Sequence, residues 1–264
     1  MNDAIIDTFE KGGVTSTTLM VNAGATKDAV DKATRSPGLG VGLHFNITLG
    51  RPICSPGSVA TLVDAGGNFH SRGTLAAKML LGRVSRAELE RELSAQFEQM
   101  RELGLSPTHI DSHQHLHTFP LCFDVVAAFG VAQHIPIRMP WVLHPVGVQP
   151  PVARRLKLGV LNRLLARNSR RWSGRLDWNS GLGSIFDLGI VPQELDTEHY
   201  RVLLEAAPEG VFELMVHPAR HSGELDGLTS IGDISEREWR FLMGGRLPVL
   251  LQELGFTSMH YGDI

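Results

Sequence analysis

Runs of β-branched and apolar residues alternate along the chain with segments of helical character, punctuated by glycine and proline. Asp3 to Lys11 predicts a helix closed by Gly12-Gly13. Val14-Thr15-Ser16-Thr17-Thr18-Leu19-Met20-Val21 predicts a strand. Lys27 to Thr34 is helical again and stops at Ser36-Pro37-Gly38. Leu39 to Thr48 predicts a strand ending in polar groups, and residues 50–73, rich in Gly and Pro, a long loop over one face. Ser85 opens a strong helix to about Leu103, with Glu88 placed for a capping box. Pro107 to Asp111 starts another strand, and Pro136–Arg138, Phe212–Val216 and Phe256–His260 are later strand candidates. Strands alternating with helices predict a parallel α/β architecture with its chemistry at the carboxyl ends of the strands. No internal repeat or linker divides residues 1–264, so one domain is expected.

Composition narrows the class. The 264 residues are 42% hydrophobic and 20% charged with a net charge of -3, so no overall basic field would draw in nucleic acid. The longest apolar stretches, such as Val14 to Ala25, fall short of the ~20 residues that span a bilayer. The start Met1-Asn2-Asp3-Ala4 has an acid where a secretion signal needs basic residues. Cys54 and Cys122 form neither a disulfide framework nor a CxxC, and a cytoplasmic protein with two reduced thiols is expected.

The candidate chemistry lies in His109-Ile110-Asp111-Ser112-His113-Gln114-His115-Leu116-His117. It holds four of the twelve histidines at alternate positions, with Asp111 completing the series. At strand periodicity these side chains project from one side for as long as the extended geometry lasts. Crowded imidazoles are hard to keep charged, a metal exploits their neutral form, and a nearby carboxylate can orient a ring. A solvated polar loop is the alternative. His44, in Gly42-Leu43-His44-Phe45-Asn46, and His217, before Pro218, also end apolar strands. Each alone reads rather as a hydrogen-bonded core histidine, but three strand-end histidine sites in one chain together favour a functional reading.

These segments resemble the YdjC-like carbohydrate deacetylases, which include chitooligosaccharide deacetylases. The resemblance rests on Gly13 to Asn22, Val41 to Thr48, Pro107 to His117 and Glu213 to Pro218, in the family's order. It implies a distorted TIM-like (β/α) barrel and hydrolysis of an N-acetyl group from an amino sugar. It also implies a divalent ion, commonly Mg2+, with Zn2+ as the softer competitor. Carried over by position, His44 and His113 are the implied metal ligands, His217 the implied general acid, and Arg138 a group for substrate oxygens or an ion pair. Asp111 is a candidate base; His115 and His117 would contact sugar or support the ligands. The family opens with a strand ending in an Asp-Asp-Phe-Gly motif, and Asn2-Asp3-Ala4-Ile5-Ile6 resembles the helix after it. The expectation is a barrel without its first strand and its paired acids, either from a start codon placed downstream or from true truncation. Such a chain would hold magnesium weakly and be at best marginally active. A catalytically impaired carbohydrate- or metal-binding protein is therefore the rival reading, and a metal hydrolase acting on another substrate is the third.

Residues 150–175 break the neutral balance: Arg154, Arg155, Lys157, Arg163, Arg167, Arg170, Arg171 and Arg175 occur without an acid among them. Leu156, Leu158, Val160, Leu161, Leu164, Leu165 and Trp172 fall mostly on the other half of the helix. Residues 154–172 could rest on an anionic membrane at its inner face, or form an ordinary outer helix with a solvated basic face. The segment, with Arg138-Met139-Pro140-Trp141, also resembles the hopanoid-associated branch of the family, which implies a lipid-linked sugar as substrate. Oligomeric state has no signature in the sequence.

Overall fold

The computed structural model describes residues 1–141, 145, 152–221, 223 and 231–264, and of residues 152–155, 157 and 158 the backbone alone. The side chains of Arg154, Arg155, Lys157 and Leu158, part of the expected membrane-facing helix, lie outside the described residues. The chain order is α1 (Asn2–Glu10), β1 (Ser16–Leu19), α2 (Thr26–Thr34), β2 (Gly40–Phe45), α3 (Arg72–Leu80), α4 (Arg86–Glu102) and β3 (Ile110–Ser112). It continues through α5 (Pro120–Gln133), α6 (Val152–Trp172), β4 (Gly181–Gly183), α7 (Thr197–Glu205), β5 (Phe212–Leu214), α8 (Gly232–Met243) and α9 (Arg246–Glu253).

Parallel neighbours need a crossover, and α2 and then α3 with α4 provide it between β1, β2 and β3. These three strands form one parallel sheet and β4 with β5 a second. Single parallel bridges, Ile110 to Ile137 and Ile137 to Trp178, run from β3 towards β4. The architecture is thus α/β with parallel strands in sequence order. Among the described residues the strand hydrogen bonds define two short sheets rather than the closed barrel expected. The largest apolar core packs Leu43, Phe45 and Ile110 of the sheet against Leu89, Leu93 and Phe97 of α4 and Phe123 and Val126 of α5. A second gathers Tyr200, Leu203, Phe241 and Leu250 from α7, α8 and α9.

Three local expectations are corrected. Ser85 makes no side-chain cap; Glu88 instead accepts from the amide and hydroxyl of Thr61, both at 2.7 Å, so a tertiary partner outcompetes the local box. Pro136–Arg138 contributes only the bridge at Ile137. Phe256–His260 is not a strand; it is held beside β1 by side chains, the Thr15 hydroxyl donating to Met259 O at 2.7 Å and the Tyr261 amide to Ser16 Oγ at 3.2 Å.

The loop of residues 50–73 is fastened over the end of β2 by buried polar groups. The carboxylate of Glu92 on α4 accepts the amides of Ile53 (2.9 Å) and Cys54 (3.0 Å), and Gln96 donates to it at 2.8 Å. Gln96 also exchanges hydrogen bonds with the main chain of Asn46, accepting at 3.0 Å and donating at 2.7 Å. Glu92 and Gln96 are fully buried, and this complete pairing lets both stay there. Cys54 and Cys122 are free thiols.

Candidate active site

Neighbouring parallel strands bring their side chains to the same height, and the site is a row of them read across the sheet. Asp111 on β3 is the register partner of His44 on β2, and His44 Nδ1 lies 2.6 Å from Asp111 Oδ1. The Thr18 hydroxyl of β1 is 3.1 Å from the same ring nitrogen and 3.4 Å from Asp111 Oδ2. Arg138 follows the Ile137 bridge, its amide donating to Ile110 O at 2.9 Å. Its guanidinium donates to Asp111 Oδ2 on one side; on the other, Nε (2.9 Å) and Nη2 hold the two oxygens of Glu213 on β5. The Tyr261 hydroxyl donates to Glu213 Oε2. Thr18, His44, Asp111, Arg138, Glu213 and Tyr261 therefore form one continuous polar chain.

Electrostatics fixes the protonation of this chain. Asp111 is fully buried, which alone would raise its pKa, but the charge of Arg138 and the His44 contact hold its carboxyl well below the usual range. Burial opposes the charge on Arg138, yet Asp111 and Glu213 together hold its proton more firmly than in water. Burial and the Glu213 charge keep Tyr261 protonated, as a donor needs to be. Asp111 thus accepts the Nδ1–H of His44 and turns the lone pair of Nε2 away from itself.

That lone pair meets His113. His44 Nε2 and His113 Nδ1 are 3.2 Å apart, with the rings at 71°. Burial and the neighbouring His44 lower the His113 pKa to about 4, so its ring is neutral at pH 7. Two nitrogens sharing one divalent ion at ~2.1 Å each stand roughly 3.0–3.4 Å apart. The separation and the carboxylate behind His44 fit an ion held between the rings. The described residues contain no group of three or more His, Cys, Asp or Glu able to hold a metal.

His115 and His117 leave the row, because the extended geometry ends at Ser112. Gln114 and His115 take positive φ of 55° and 54°, and the chain turns. His117 is fully buried: Nε2–H donates to Arg138 O at 2.8 Å, and Nδ1 accepts from the Ser112 hydroxyl. Its neutral tautomer is thereby set, and burial lowers its pKa to about 4. His115 is lowered to about 3 by burial and by Arg138, and its Nδ1 is buried without a hydrogen-bond partner. His109 stacks on Tyr261 with ring centroids 4.0 Å apart. Gly42 makes that stack possible, because a Cβ there would lie 2.5 Å from the His109 ring. His117 and His109 support the row from behind. His217 lies three residues beyond β5, and no hydrogen bond or ion pair joins it to His44 or His113 among the described residues.

Asp3 and Asp7, the acids nearest the start of the chain, are engaged by Arg220 at 3.3 Å and at 2.7–2.8 Å. Sequence reasoning passed over Thr18, Glu213 and Tyr261. For Glu213 the signal was present: an acid inside the apolar run Phe212-Glu213-Leu214-Met215-Val216 needs a buried cation.

The profile of the YdjC-like protein family matches residues 1–253. A carbohydrate deacetylase of Geobacillus stearothermophilus is 44% identical over 138 residues, 52% of this chain and 53% of its own length. A chitooligosaccharide deacetylase of Yersinia enterocolitica is 30% identical over 268 residues, covering 99% of this chain and 92% of its own. The matched chain spans about half the length of several of these curated relatives. A solved structure from Enterococcus faecalis V583, of a protein proposed to act in cellobiose-phosphate cleavage, superposes with a TM-score of 0.78 at 24% identity. The superposition covers 99% of this chain and 92% of that one, and what it shows is the shared fold.

Proposed function

The chain belongs to the YdjC-like family, and from that premise we propose that it is a carbohydrate deacetylase that hydrolyses the N-acetyl group of an amino sugar with one divalent ion. The observation that carries the proposal is the His44–His113 nitrogen pair, 3.2 Å apart and backed by a buried Asp111–Arg138–Glu213 network. When bound, the ion would polarise the acetamide carbonyl and lower the pKa of its water. Asp111 orients His44; fully buried and engaged through both oxygens, it fits that role rather than proton abstraction. Arg138 keeps Asp111 ionised, and its remaining contacts are to Glu213 rather than to open space. His217 would give the leaving amine its proton. The row of strands, taken in sequence order, reads as the open part of a distorted barrel.

Incubation with N-acetylglucosamine oligosaccharides and either Mg2+ or Zn2+ should release acetate and free amine in equal amounts, and a chelator should stop it. Sugar or metal binding with no acetate released under any of these conditions would overturn the proposal in favour of a binding protein. Acetate released from other amides alone would favour the hydrolase of different specificity.

A second reading concerns the substrate's anchor. Helix α6 buries Leu165, Ser169 and Trp172, while Arg163, Arg167, Arg170 and Arg171 are exposed and Leu156 and Val160 are 69% and 58% exposed. Apolar side chains outside a basic face suit contact with an anionic membrane, and thus a lipid-linked sugar. No described helix is long and apolar enough to cross a membrane. Anionic liposomes should sediment the protein and salt should weaken recovery; equal recovery on neutral liposomes would leave α6 as a solvated outer helix.

A further inference from the structure

His217 faces a buried acid that the reading above does not use. Its main-chain amide donates to Glu238 Oε2 of α8 at 2.8 Å, and its ring Nδ1 lies 3.8 Å from the same oxygen. Glu238 is fully buried, whereas the His217 side chain is 31% exposed. His217 Nδ1 is itself buried and without a hydrogen-bond partner, and so is Glu238 Oε1. The exposed part of the ring therefore lies away from Nδ1, and the Phe186 and His217 rings meet edge to face with centroids 5.9 Å apart. The fully buried Tyr200 hydroxyl of α7 faces the same carboxylate, and burial with the Glu238 charge holds its proton well above the usual phenol range. Arg220, three residues further on, is turned to Asp7 and Asp3 of α1.

A buried carboxylate favours every donor within reach, and Oε2, which already takes the His217 amide, has room for a second. Imidazole can be that donor through one nitrogen, and a movement of less than about 1 Å would bring Nδ1 within hydrogen-bond range. We infer that Glu238 is the positioning residue of His217: it keeps the imidazole proton on Nδ1, turned into the protein, and leaves Nε2 as the nitrogen that exchanges a proton with substrate. When Nε2 is also protonated, the same carboxylate stabilises the imidazolium, the form a general acid requires. The catalytic meaning rests on the role of His217 proposed above; the tautomer does not.

The test is 15N NMR of histidine-labelled protein, with the His217 signals assigned by their loss in His217→Gln. In the unmodified protein His217 should be the Nδ1–H tautomer at high pH. In Glu238→Gln the ring should move to a mixture or to Nε2–H as the anion is lost. The pH profile of kcat should change with KM and metal content unchanged, and Glu238→Asp should recover part of both changes. An Nε2–H tautomer in the unmodified protein, or one indifferent to both substitutions, would overturn the inference. A changed tautomer beside an unmoved kcat profile would leave the positioning standing and remove His217 from proton transfer. If Glu238→Gln does not fold, Glu238→Asp carries the tautomer measurement alone.

Discussion

Replacing Arg138 by Met should destabilise the protein by about 3–5 kcal/mol near neutral pH, the usual consequence of removing one partner from a buried ion pair. In a chain of this size that is a fall in Tm of roughly 10 °C or more. Arg138 lies between two carboxylates, and its side chain is 12% exposed beside Asp111 at 0% and Glu213 at 14%. Without the guanidinium the fully buried Asp111 has lost its cation, and burial then raises its pKa above that of the unfolded chain. The sign of the pH dependence follows. A raised folded pKa makes the variant lose stability as pH rises through the unfolded carboxylate value near 4, so the deficit is full at pH 7 and narrows towards pH 4. Burial lowers His109, His115 and His117 to about 3, 3 and 4, which also costs stability as pH falls below ~6.5. The Arg138 charge adds to burial at all three, so that acid-side loss is smaller in Arg138→Met and narrows the difference further at low pH. Arg138→Lys should rescue little, since one ammonium cannot reproduce a fork that reaches Asp111 and both oxygens of Glu213. Adding Glu213→Gln to Arg138→Met should recover part of the loss. Urea unfolding at pH 7 and pH 5 measures all of this; equal midpoints for the parent and Arg138→Met would show that the network is not a source of stability.

That network also shows where sequence reading succeeds and where it stops. The strands carrying Thr18 and His44 were legible as runs of β-branched and apolar residues bounded by glycine, proline and polar groups, and that carrying Asp111 from its start at Pro107. The meeting of His44 with Asp111, and of Arg138 with Glu213, 67 and 75 residues apart in the chain, was not, because register between distant strands leaves no local mark. The alternation of histidines suggested one shared face, but the strand stops at Ser112 and the positive φ angles at Gln114 and His115 break the period. Helix α5 went unread for the opposite reason: Cys122, Phe123, Val125, Val126, Ala127 and Gly130 are buried around it, and a helix covered on most sides has no polar stripe to betray its period. β4, Gly181-Leu182-Gly183, is too short and too glycine-rich to register as a strand. The predicted cap at Ser85 failed because Glu88 found a better partner in Thr61.

Loss of the metal should be the largest functional effect, and three substitutions grade it. His44→Ala and His113→Ala each remove one of two facing nitrogens and should lower divalent-ion affinity by at least about 100-fold, beyond the usual range for residues that only orient ligands. Asp111→Asn is the graded case. The amide keeps the shape but no longer compels His44 to carry its proton on Nδ1, so affinity should fall by roughly 10- to 100-fold. It also leaves the Arg138 charge with Glu213 as its one remaining partner, so the loss must be read beside an unfolding measurement. With two nitrogen donors the parent should prefer Zn2+ to Mg2+, which favours oxygen ligands in near-octahedral geometry. Deacetylation should fall with occupancy, and excess ion should restore Asp111→Asn more readily than either alanine variant. Calorimetric titration and elemental analysis decide the matter independently of any substrate. If His44→Ala and His113→Ala bind as much metal as the parent protein, the 3.2 Å nitrogen pair is a hydrogen bond between two histidines and the ion is held elsewhere.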